Sequence, residues 1–305
     1  MTGNIVDTVD PLVRRLRALA GDAPELKDAT EVYEAILPLL RDADLRVGPV
    51  ALTRDEVRAK MESGVPILHG LALEIDIEAV HELMFRLAAA VEAVAREGRP
   101  GEPPLPGAAA SQEPLTAAGR IRLALEQDRL DMGELLPLVI DGRMDAVLSF
   151  ARGLRLDPDL VWTLAQNALK PALRACCRQL APLAAGTAWN RGACFVCGSV
   201  AVLAELQDND QVKHLRCGSC GADWRFRRLQ CMHCGNEDHR TQQFLFTGDR
   251  RDSVRLETCD QCGGYLKVIS SFAPTPPELL PVEDLATLRL DYIAQERGYA
   301  RTVNP

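Results

Sequence analysis

The 305-residue sequence lacks long hydrophobic runs, and this absence limits where the protein can act. No stretch of about 18 or more apolar residues occurs, which argues against a membrane span. Residues 1–17 contain acidic side chains and no apolar run long enough for a signal peptide. We therefore expect a cytoplasmic protein with no membrane insertion.

The sequence also lacks an excess of basic charge. Its formal net charge is −8, which disfavours a general nucleic-acid-binding surface. Residues 191–270 contain 11 Lys and Arg against 10 Asp and Glu, whereas a zinc ribbon that binds nucleic acid usually has a clear basic excess. We expect no nucleic-acid partner and keep the nucleic-acid-binding zinc ribbon as an alternative hypothesis.

Recognisable catalytic motifs are absent as well. The sequence has no evident Ser/His/Asp set, no pair of carboxylates in a known motif, no phosphate-binding loop and no dinucleotide fingerprint. We therefore expect that the protein is not an enzyme and has no catalytic residue.

Cysteine, in contrast, is concentrated in one part of the chain. Four C-x-x-C pairs, each followed by glycine, are Cys194/Cys197, Cys217/Cys220, Cys231/Cys234 and Cys259/Cys262. In such a sequence a tight turn points both sulfur atoms at one ion, and the glycine adopts a positive φ without steric cost. Two facing turns make a closed tetrahedral site with metal–sulfur distances of roughly 2.3 Å. The eight thiols therefore predict two four-thiolate metal sites.

Two groupings of these cysteines are open. Sequential pairing gives Cys194, Cys197, Cys217 and Cys220 to one ion, and Cys231, Cys234, Cys259 and Cys262 to the other. A cross-braced arrangement would instead join the first and third pairs. We favour sequential pairing, because residues 221–230 form a short link suited to joining two finished modules. Zinc and iron both accept four sulfur ligands, so the spacing does not identify the metal.

Other uses of the cysteine pairs fit the sequence less well. A disulfide framework needs an oxidising compartment and usually a small domain. A thioredoxin-like pair would open a helix after a strand of a βαβ unit, whereas the flanking residues here favour short strands and turns. Reduced, metal-bound thiols are the better interpretation.

Several further residues could contribute to the sites. With eight cysteines available, we expect none of His214, His233 and His239 to be a ligand. Cys176 and Cys177 fall in a predicted helix, where neighbouring side chains point about 100° apart and cannot readily share one ion. We expect both to be small buried hydrophobic residues.

The link between the two predicted sites combines aromatic residues with three arginines, in residues 223–228. An exposed cluster of this kind would favour a protein interface. Alternatively, Trp224 packs between the modules while the arginines are solvated. The sequence leaves both interpretations open.

The first 185 residues are predicted to be helical. Apolar residues at three- and four-residue spacing indicate helices at residues 11–20, 28–45, 55–62, 74–97, 119–127, 132–140 and 144–152. Asp157 as N-cap and Pro158 begin a last long helix that reaches about residue 180, with Pro171 expected to kink or divide it. Residues 98–114 are rich in Pro, Gly and Ala and predict a mobile connection. The pattern is typical of a helical bundle.

After residue 185 the pattern changes to short strands. Runs at residues 200–205, 214–216, 241–246 and 254–257 predict strands, with turns at 208–210 and 247–249. A Pro-rich break at 273–281 precedes a final helix at 282–297. We therefore predict a multidomain chain: an all-helical domain (1–185), two small rubredoxin-like or zinc-ribbon-like metal modules (186–228 and 229–272), and a C-terminal helix and tail (273–305).

Taken together, these residues resemble a known family, the FdhE formate dehydrogenase accessory proteins. The runs that carry the resemblance are Cys194-Phe195-Val196-Cys197-Gly198-Ser199, residues 217–224, Cys259-Asp260-Gln261-Cys262 with Tyr265-Leu266-Lys267, residues 283–291 and 298–301, and Gly64-Val65-Pro66-Ile67-Leu68. The likeness covers most of the chain, with its specific motifs concentrated after Arg191. Phe195 stands where Pro is common and Glu283 where Asp is usual; neither departure affects a predicted metal ligand.

The resemblance implies a cytoplasmic, non-catalytic assembly factor. Its partner would be the catalytic subunit of a respiratory formate dehydrogenase, bound before twin-arginine export. The family's association with iron in rubredoxin-like sites favours iron over zinc. A rubredoxin-like redox protein, in which thiolate-bound iron changes oxidation state, is a second hypothesis, and self-association is left open.

Overall fold

The computed structural model describes residues 10–97, 116–246 and 253–301. The predicted connection at residues 98–114 and the predicted turn at 247–249 lie outside these described residues. Contacts group the chain into two compact units: residues 1–45 with 76–171, and residues 46–75 with 172–305. The boundaries of the four parts proposed from the sequence stay a prediction.

The N-terminal part of the chain is helical, as predicted. The helices are α1 (Pro11–Asp22), α2 (Lys27–Asp42), α3 (Arg54–Glu62), α4 (Ile77–Glu97), α5 (Ala117–Glu126), α6 (Met132–Ile140), α7 (Met144–Gly153) and α8 (Pro158–Ala184). In α4 the sequence predicts one buried stripe at Val80, Leu83, Met84, Leu87 and Val91, and the first four are buried while Val91 is partly exposed. This spacing of three and four residues places the side chains on one face of the helix.

The ends of several helices follow from local hydrogen bonding. Thr53 and Glu56 form a capping box at the start of α3, with the Thr53 backbone N–H donating to Glu56 Oε2 at 2.8 Å. Asp157 caps α8 as predicted, since its carboxylate accepts from the Leu160 N–H at 2.9 Å. Pro171 does not divide α8, which is continuous, but the boundary between the two compact units falls directly after this proline.

The cysteine-bearing unit contains a six-stranded sheet. Its strands are β1 (Leu203–Gln207), β2 (Val212–Arg216), β3 (Asp223–Arg225), β4 (Gln242–Phe246), β5 (Val254–Cys259) and β6 (Gly264–Ser271). Their order is β3-β2-β1-β6-β5-β4, and the neighbours are antiparallel except for the parallel pair β1 and β6. Two antiparallel halves, one for each predicted metal module, are therefore joined into a single sheet through β1 and β6.

The sequence patterns identified four of these strands but missed β3 and β6. β6 is buried at its first six positions, so it lacks the alternation of polar and apolar residues that marks a half-buried strand. β3 has only three residues, too few for a periodic pattern.

Hydrophobic side chains pack on both faces of the sheet. One core joins Leu206, Leu215 and Val268 of the sheet to Ile67 and to Leu180 of α8. A smaller core joins Leu256 and Tyr265 to Leu290 and Ala294. The last two residues belong to α10 (Leu288–Glu296), which follows α9 (Leu280–Ala286). The predicted final helix is thus two helices, separated at Thr287.

Three cationic side chains of the sheet are almost fully buried, and each has an acidic partner. Arg216 pairs with Glu205, and Lys213 Nζ lies 2.5 Å from Glu257. Lys267 Nζ lies 2.7 Å from Asp291. Because an unpaired buried charge is costly, these partners fix the strands and the C-terminal segment in one arrangement.

Candidate metal centres

The first four-cysteine cluster is built from two turns of the same geometry. The Gly198 N–H donates to the Cys194 carbonyl at 2.9 Å, and the Gly221 N–H donates to the Cys217 carbonyl at 3.0 Å. Gly198 has a φ of 80° and Gly221 a φ of 77°, as the sequence predicted for the residue after each pair. The turns face each other, with Sγ–Sγ distances of 3.5 Å for Cys194–Cys220 and for Cys197–Cys217.

The second cluster repeats this construction at the other half of the sheet. The Gly235 N–H donates to the Cys231 carbonyl at 3.0 Å, and the Gly263 N–H donates to the Cys259 carbonyl at 2.8 Å. The Sγ–Sγ distance is 3.7 Å for Cys231–Cys262 and 3.8 Å for Cys234–Cys259.

Both clusters have the dimensions of a tetrahedral four-sulfur site. Metal–sulfur bonds of roughly 2.3 Å separate the sulfur atoms of such a site by about 3.8 Å. Within each cluster all four Sγ atoms lie within 4.8 Å of one another. The sequential grouping is therefore confirmed and the cross-braced alternative is wrong. Each cluster fits one ion, and its sulfur ligands suit zinc and iron alike.

A segment distant in sequence covers the first cluster. The Ile67 N–H donates to the Phe195 carbonyl at 2.8 Å, and the Leu68 N–H donates to the Val196 carbonyl at 2.9 Å. Phe195 and Val196 are the two residues between the ligands of the first turn. The Gly64–Leu68 run that contributed to the family resemblance therefore lies on a cysteine turn, a position that sequence patterns did not predict.

Cys177 in α8 also lies beside the first cluster. Cys176 and Cys177 are buried, as expected, but the side chain of Cys177 in addition lies beside that of Cys220. Arg174, one turn earlier, donates from Nη2 to the Pro277 carbonyl at 3.2 Å. Burial lowers the pKa of Arg174, against the opposing effect of Glu278, Cys220 and Cys217. Arg174 and Cys177 are three residues apart, so the sequence alone indicates that they share one face of α8. Only the fold places this face beside the cysteines of the first cluster.

The thiols of the first cluster influence one another strongly. Burial raises the pKa of Cys194. Hydrogen bonds with Cys194, Cys217 and Cys220 hold the pKa of Cys197 well below its usual range. A metal ion that binds the four sulfur atoms displaces the protons that the thiols carry.

The second cluster is closer to solvent. Cys234 is exposed and Cys262 is partly exposed. Burial raises the pKa of Cys231. Burial also acts to raise the pKa of Cys259, but hydrogen bonds from the Asn236 side chain and from the main chain lower it to about 7. Asn236 Nδ2 donates to Cys259 Sγ at 3.4 Å.

The histidines named in the sequence analysis lie outside both sulfur clusters. His214 pairs with Asp223 through Nδ1, and His233 Nε2 lies 3.0 Å from the Tyr265 carbonyl oxygen. His239 is exposed in a short helical turn before β4. The partner of His233 shows that this residue, although inside a cysteine turn, is held by the backbone of β6.

The aromatic residues of the link between the clusters are buried. The Trp224 indole N–H donates to the Arg191 carbonyl at 3.0 Å, and its ring packs edge-on against Phe195 with centroids 6.2 Å apart. Arg225, Arg227 and Arg228 are exposed. The tryptophan is thus packed and the arginines are solvated, so an exposed tryptophan interface is wrong. The two contacts of Trp224 lie within the first predicted module, whereas the sequence analysis had placed this residue between the modules.

Among the described residues, no helix combines the length and the apolar character needed to cross a membrane.

A family model and the curated relatives that match this chain all carry the same family name, FdhE. The model of the FdhE C-terminal domain matches residues 229–305, which include the second cluster. The Protein FdhE homolog of Aquifex aeolicus is 32% identical over 118 residues, covering 37% of this chain and 40% of that protein. Protein FdhE of Escherichia coli O127:H6 is 33% identical over 116 residues, covering 37% of this chain and 36% of that protein. The matched segments therefore span well under half the length of these curated relatives.

A solved structure extends the similarity to almost the whole chain. The crystal structure of the FdhE protein from Pseudomonas aeruginosa matches with a TM-score of 0.60 and 25% identity. The match covers 96% of this chain and 92% of that one.

Proposed function

This chain belongs to the FdhE family, and from that premise we propose that it is an accessory protein for the assembly of formate dehydrogenase. It binds the catalytic subunit of that enzyme in the cytoplasm, before export. It performs no catalysis of its own.

The observation that carries this proposal is the pair of closed four-cysteine clusters in one sheet. Cys194, Cys197, Cys217 and Cys220 hold one ion, and Cys231, Cys234, Cys259 and Cys262 hold the other. Four protein sulfur ligands leave no open coordination position for substrate, which argues for a structural or redox role rather than Lewis-acid catalysis. The family favours iron, and zinc fits the same ligands.

Binding to the catalytic subunit tests the partner. The metal-loaded, reduced chain is mixed anaerobically with a purified formate dehydrogenase catalytic subunit, and complex formation is followed by size-exclusion chromatography with light scattering. We expect a defined complex, and a chain with Cys176→Ala, a buried residue outside both clusters, serves as the control. The absence of a complex at micromolar concentrations would overturn the assignment of this partner.

Metal analysis tests the sites separately. We expect two ions for each chain, and one ion in a variant that lacks one cluster through Cys231→Ser and Cys259→Ser. Ferric iron bound by four thiolates absorbs visible light, whereas zinc does not, so spectra of anaerobically purified and then oxidised protein identify the metal. A wild-type chain that binds no ion would contradict the metal assignment and leave the partner assignment standing.

A redox function is a second candidate, favoured by main-chain hydrogen bonds to the cluster sulfurs. The Val196 N–H donates to Cys194 Sγ and the Cys220 N–H to Cys217 Sγ, each at 3.4 Å. Such bonds tune the reduction potential of iron–sulfur sites. Voltammetry of the iron-loaded chain would show a reversible couple, and its absence would eliminate this candidate.

A further inference from the structure

The two clusters differ in how their sulfur atoms are held. In the first cluster every sulfur atom contacts a polar group other than its fellow ligands. Cys194 and Cys217 accept main-chain N–H groups, Cys197 Sγ lies 3.4 Å from Ser199 Oγ, and Cys220 contacts the thiol of Cys177.

In the second cluster a polar contact of this kind holds Cys259. Cys259 accepts from the Asn236 side chain at 3.4 Å. Cys234 Sγ lies 3.8 Å from the sulfur of Cys259, a fellow ligand. Cys234 is also the one exposed cysteine among those described.

Exposure weakens the hold of the second cluster on Cys234. Groups that donate hydrogen bonds to a metal ligand typically contribute 10- to 100-fold in affinity. An exposed thiolate is also the one that solvent can protonate and that other thiols can reach. Cys234 is therefore the ligand of the eight that leaves most easily.

The first cluster is protected from such exchange. Its cysteines are buried apart from the partly exposed Cys197, and the first turn is tied to Ile67 and Leu68 by two backbone hydrogen bonds. Exchange there requires that this segment separates from the cysteine turn, which costs buried apolar contacts as well as hydrogen bonds.

We propose that the second cluster is a metal-transfer site that exchanges its ion with external thiolates, starting at Cys234, while the first cluster retains its ion. In the first step an external thiolate takes the coordination position of Cys234, and the released Cys234 takes up a proton from solvent. The number of sulfur ligands and the oxidation state of the ion are unchanged. Cys262, which is partly exposed, is the next ligand to be replaced, so a partner with two neighbouring thiols fits the site best. This inference rests on the metal assignment in the proposed function.

Metal release measures the difference between the clusters. The chain is loaded with two zinc ions and mixed rapidly with a chromogenic chelator and increasing dithiothreitol. We expect half of the zinc to leave at least about tenfold faster than the rest, since Cys234 is exposed and main-chain N–H groups hold the sulfur atoms of Cys194 and Cys217 in the first cluster. The fast rate should rise with the dithiothreitol concentration. A single phase, or a fast phase independent of the thiol, would overturn the proposal.

Alkylation of the wild-type loaded chain tests the same point without a variant that could misfold. Limited N-ethylmaleimide treatment followed by trypsin and mass spectrometry separates residues 229–240, which contain Cys231 and Cys234, from residues 192–213, which contain Cys194 and Cys197. We expect modification first at Cys234. Equal or faster modification of Cys197 would overturn the proposal.

Two matched variants test how the polar side chains beside the sulfur atoms affect the rate of metal release. Asn236→Ala removes the donor to Cys259 and should accelerate the fast phase by about tenfold or more. Ser199→Ala, its counterpart beside Cys197, should leave the fast phase unchanged. An unchanged fast phase in Asn236→Ala would contradict the role given to the donors. A chain that binds two ions and releases them together overturns only this inference, whereas one that binds no ion overturns the metal assignment as well.

Discussion

The glycine after each cysteine pair has the same backbone conformation but different surroundings. A Cβ atom at Gly221 would lie 2.8 Å from two atoms of Pro277, whereas at Gly263 it would meet no atom within 4 Å. Both residues have positive φ, 77° and 68° respectively. A substitution at Gly263 therefore tests backbone strain alone, whereas the same substitution at Gly221 tests backbone strain together with steric contact.

We predict that Gly221→Ala destabilises the chain more than Gly263→Ala. Both variants incur a left-handed conformation with a side chain, which costs about 1–2 kcal/mol, and Gly221→Ala adds the overlap with Pro277. The free energy of unfolding from urea titrations measures the difference. Adding Pro277→Ala should restore part of the loss in Gly221→Ala; equal destabilisation of the two single variants would contradict the contact with Pro277.

The buried ion pairs of the sheet give a second prediction at this scale. In Lys267→Met, Asp291 would lose a cation at 2.7 Å inside the protein, and we expect a loss of about 3–5 kcal/mol in the free energy of unfolding. Arg227→Met removes a cation from an exposed pair with Glu237 and should change stability little. Urea titration measures the free energy of unfolding of both variants. Comparable losses would show that burial does not determine the cost of removing the cation from an ion pair.

At the scale of elements, the Gly64–Leu68 segment ties α3 to the first cysteine turn. Ile67 is fully buried in the core of the sheet-bearing unit. Its N–H and that of Leu68 satisfy the carbonyls of the residues between Cys194 and Cys197. The segment therefore supports both the hydrophobic core and the position of two cysteines.

We predict that Ile67→Ala lowers the free energy of unfolding by about 2–5 kcal/mol, because it opens a cavity in this core. It should also raise the alkylation rate of Cys197 while that of Cys234 stays the same. Ile77→Ala, at a residue that is 49% exposed, is the matched control and should change neither quantity appreciably. Equal acceleration at both cysteines would mean that the segment does not act on the first cluster selectively.

For the whole molecule, the division into two compact units determines the response to metal removal. Both clusters lie in the unit formed by residues 46–75 and 172–305, and Trp189 and Trp224 belong to it. Trp162 belongs to the other unit. Fluorescence of a Trp162→Phe variant therefore reports on the cysteine-bearing unit alone.

We predict that a chelator under reducing conditions loosens the cysteine-bearing unit and leaves the helices of the other unit folded. Structural metal ions contribute directly to folding, since the unfolded chain has no preformed site. Tryptophan fluorescence in Trp162→Phe should shift, while most of the helical circular dichroism remains. A parallel loss of both signals would contradict independent folding of the units.

The cysteine sites were predictable from sequence to a large extent, because each C-x-x-C-G turn is a local structure. The eight residues, their four pairs and the positive φ of the glycines all follow from short-range chemistry. The sequential grouping of the pairs was favoured by the short link at residues 221–230, and the fold decided it. The helices of the N-terminal part also follow from local periodicity, as the buried stripe of α4 shows. β6 was missed because a strand buried by its neighbours carries no alternating pattern of its own.

The sequence by itself determined the eight cysteines and the four turns that they form, because the two cysteines of each turn are three positions apart. The structure decided how the turns combine into two sets of four. Only the tertiary structure decided that both halves share one sheet through β1 and β6, since that pairing joins residues more than 60 positions apart. It also decided that Gly64–Leu68 and α8 enclose the first cluster while Cys234 of the second is exposed. Burial and hydrogen bonding depend on distant segments packed around a site, and those contacts distinguish two clusters that are alike in sequence.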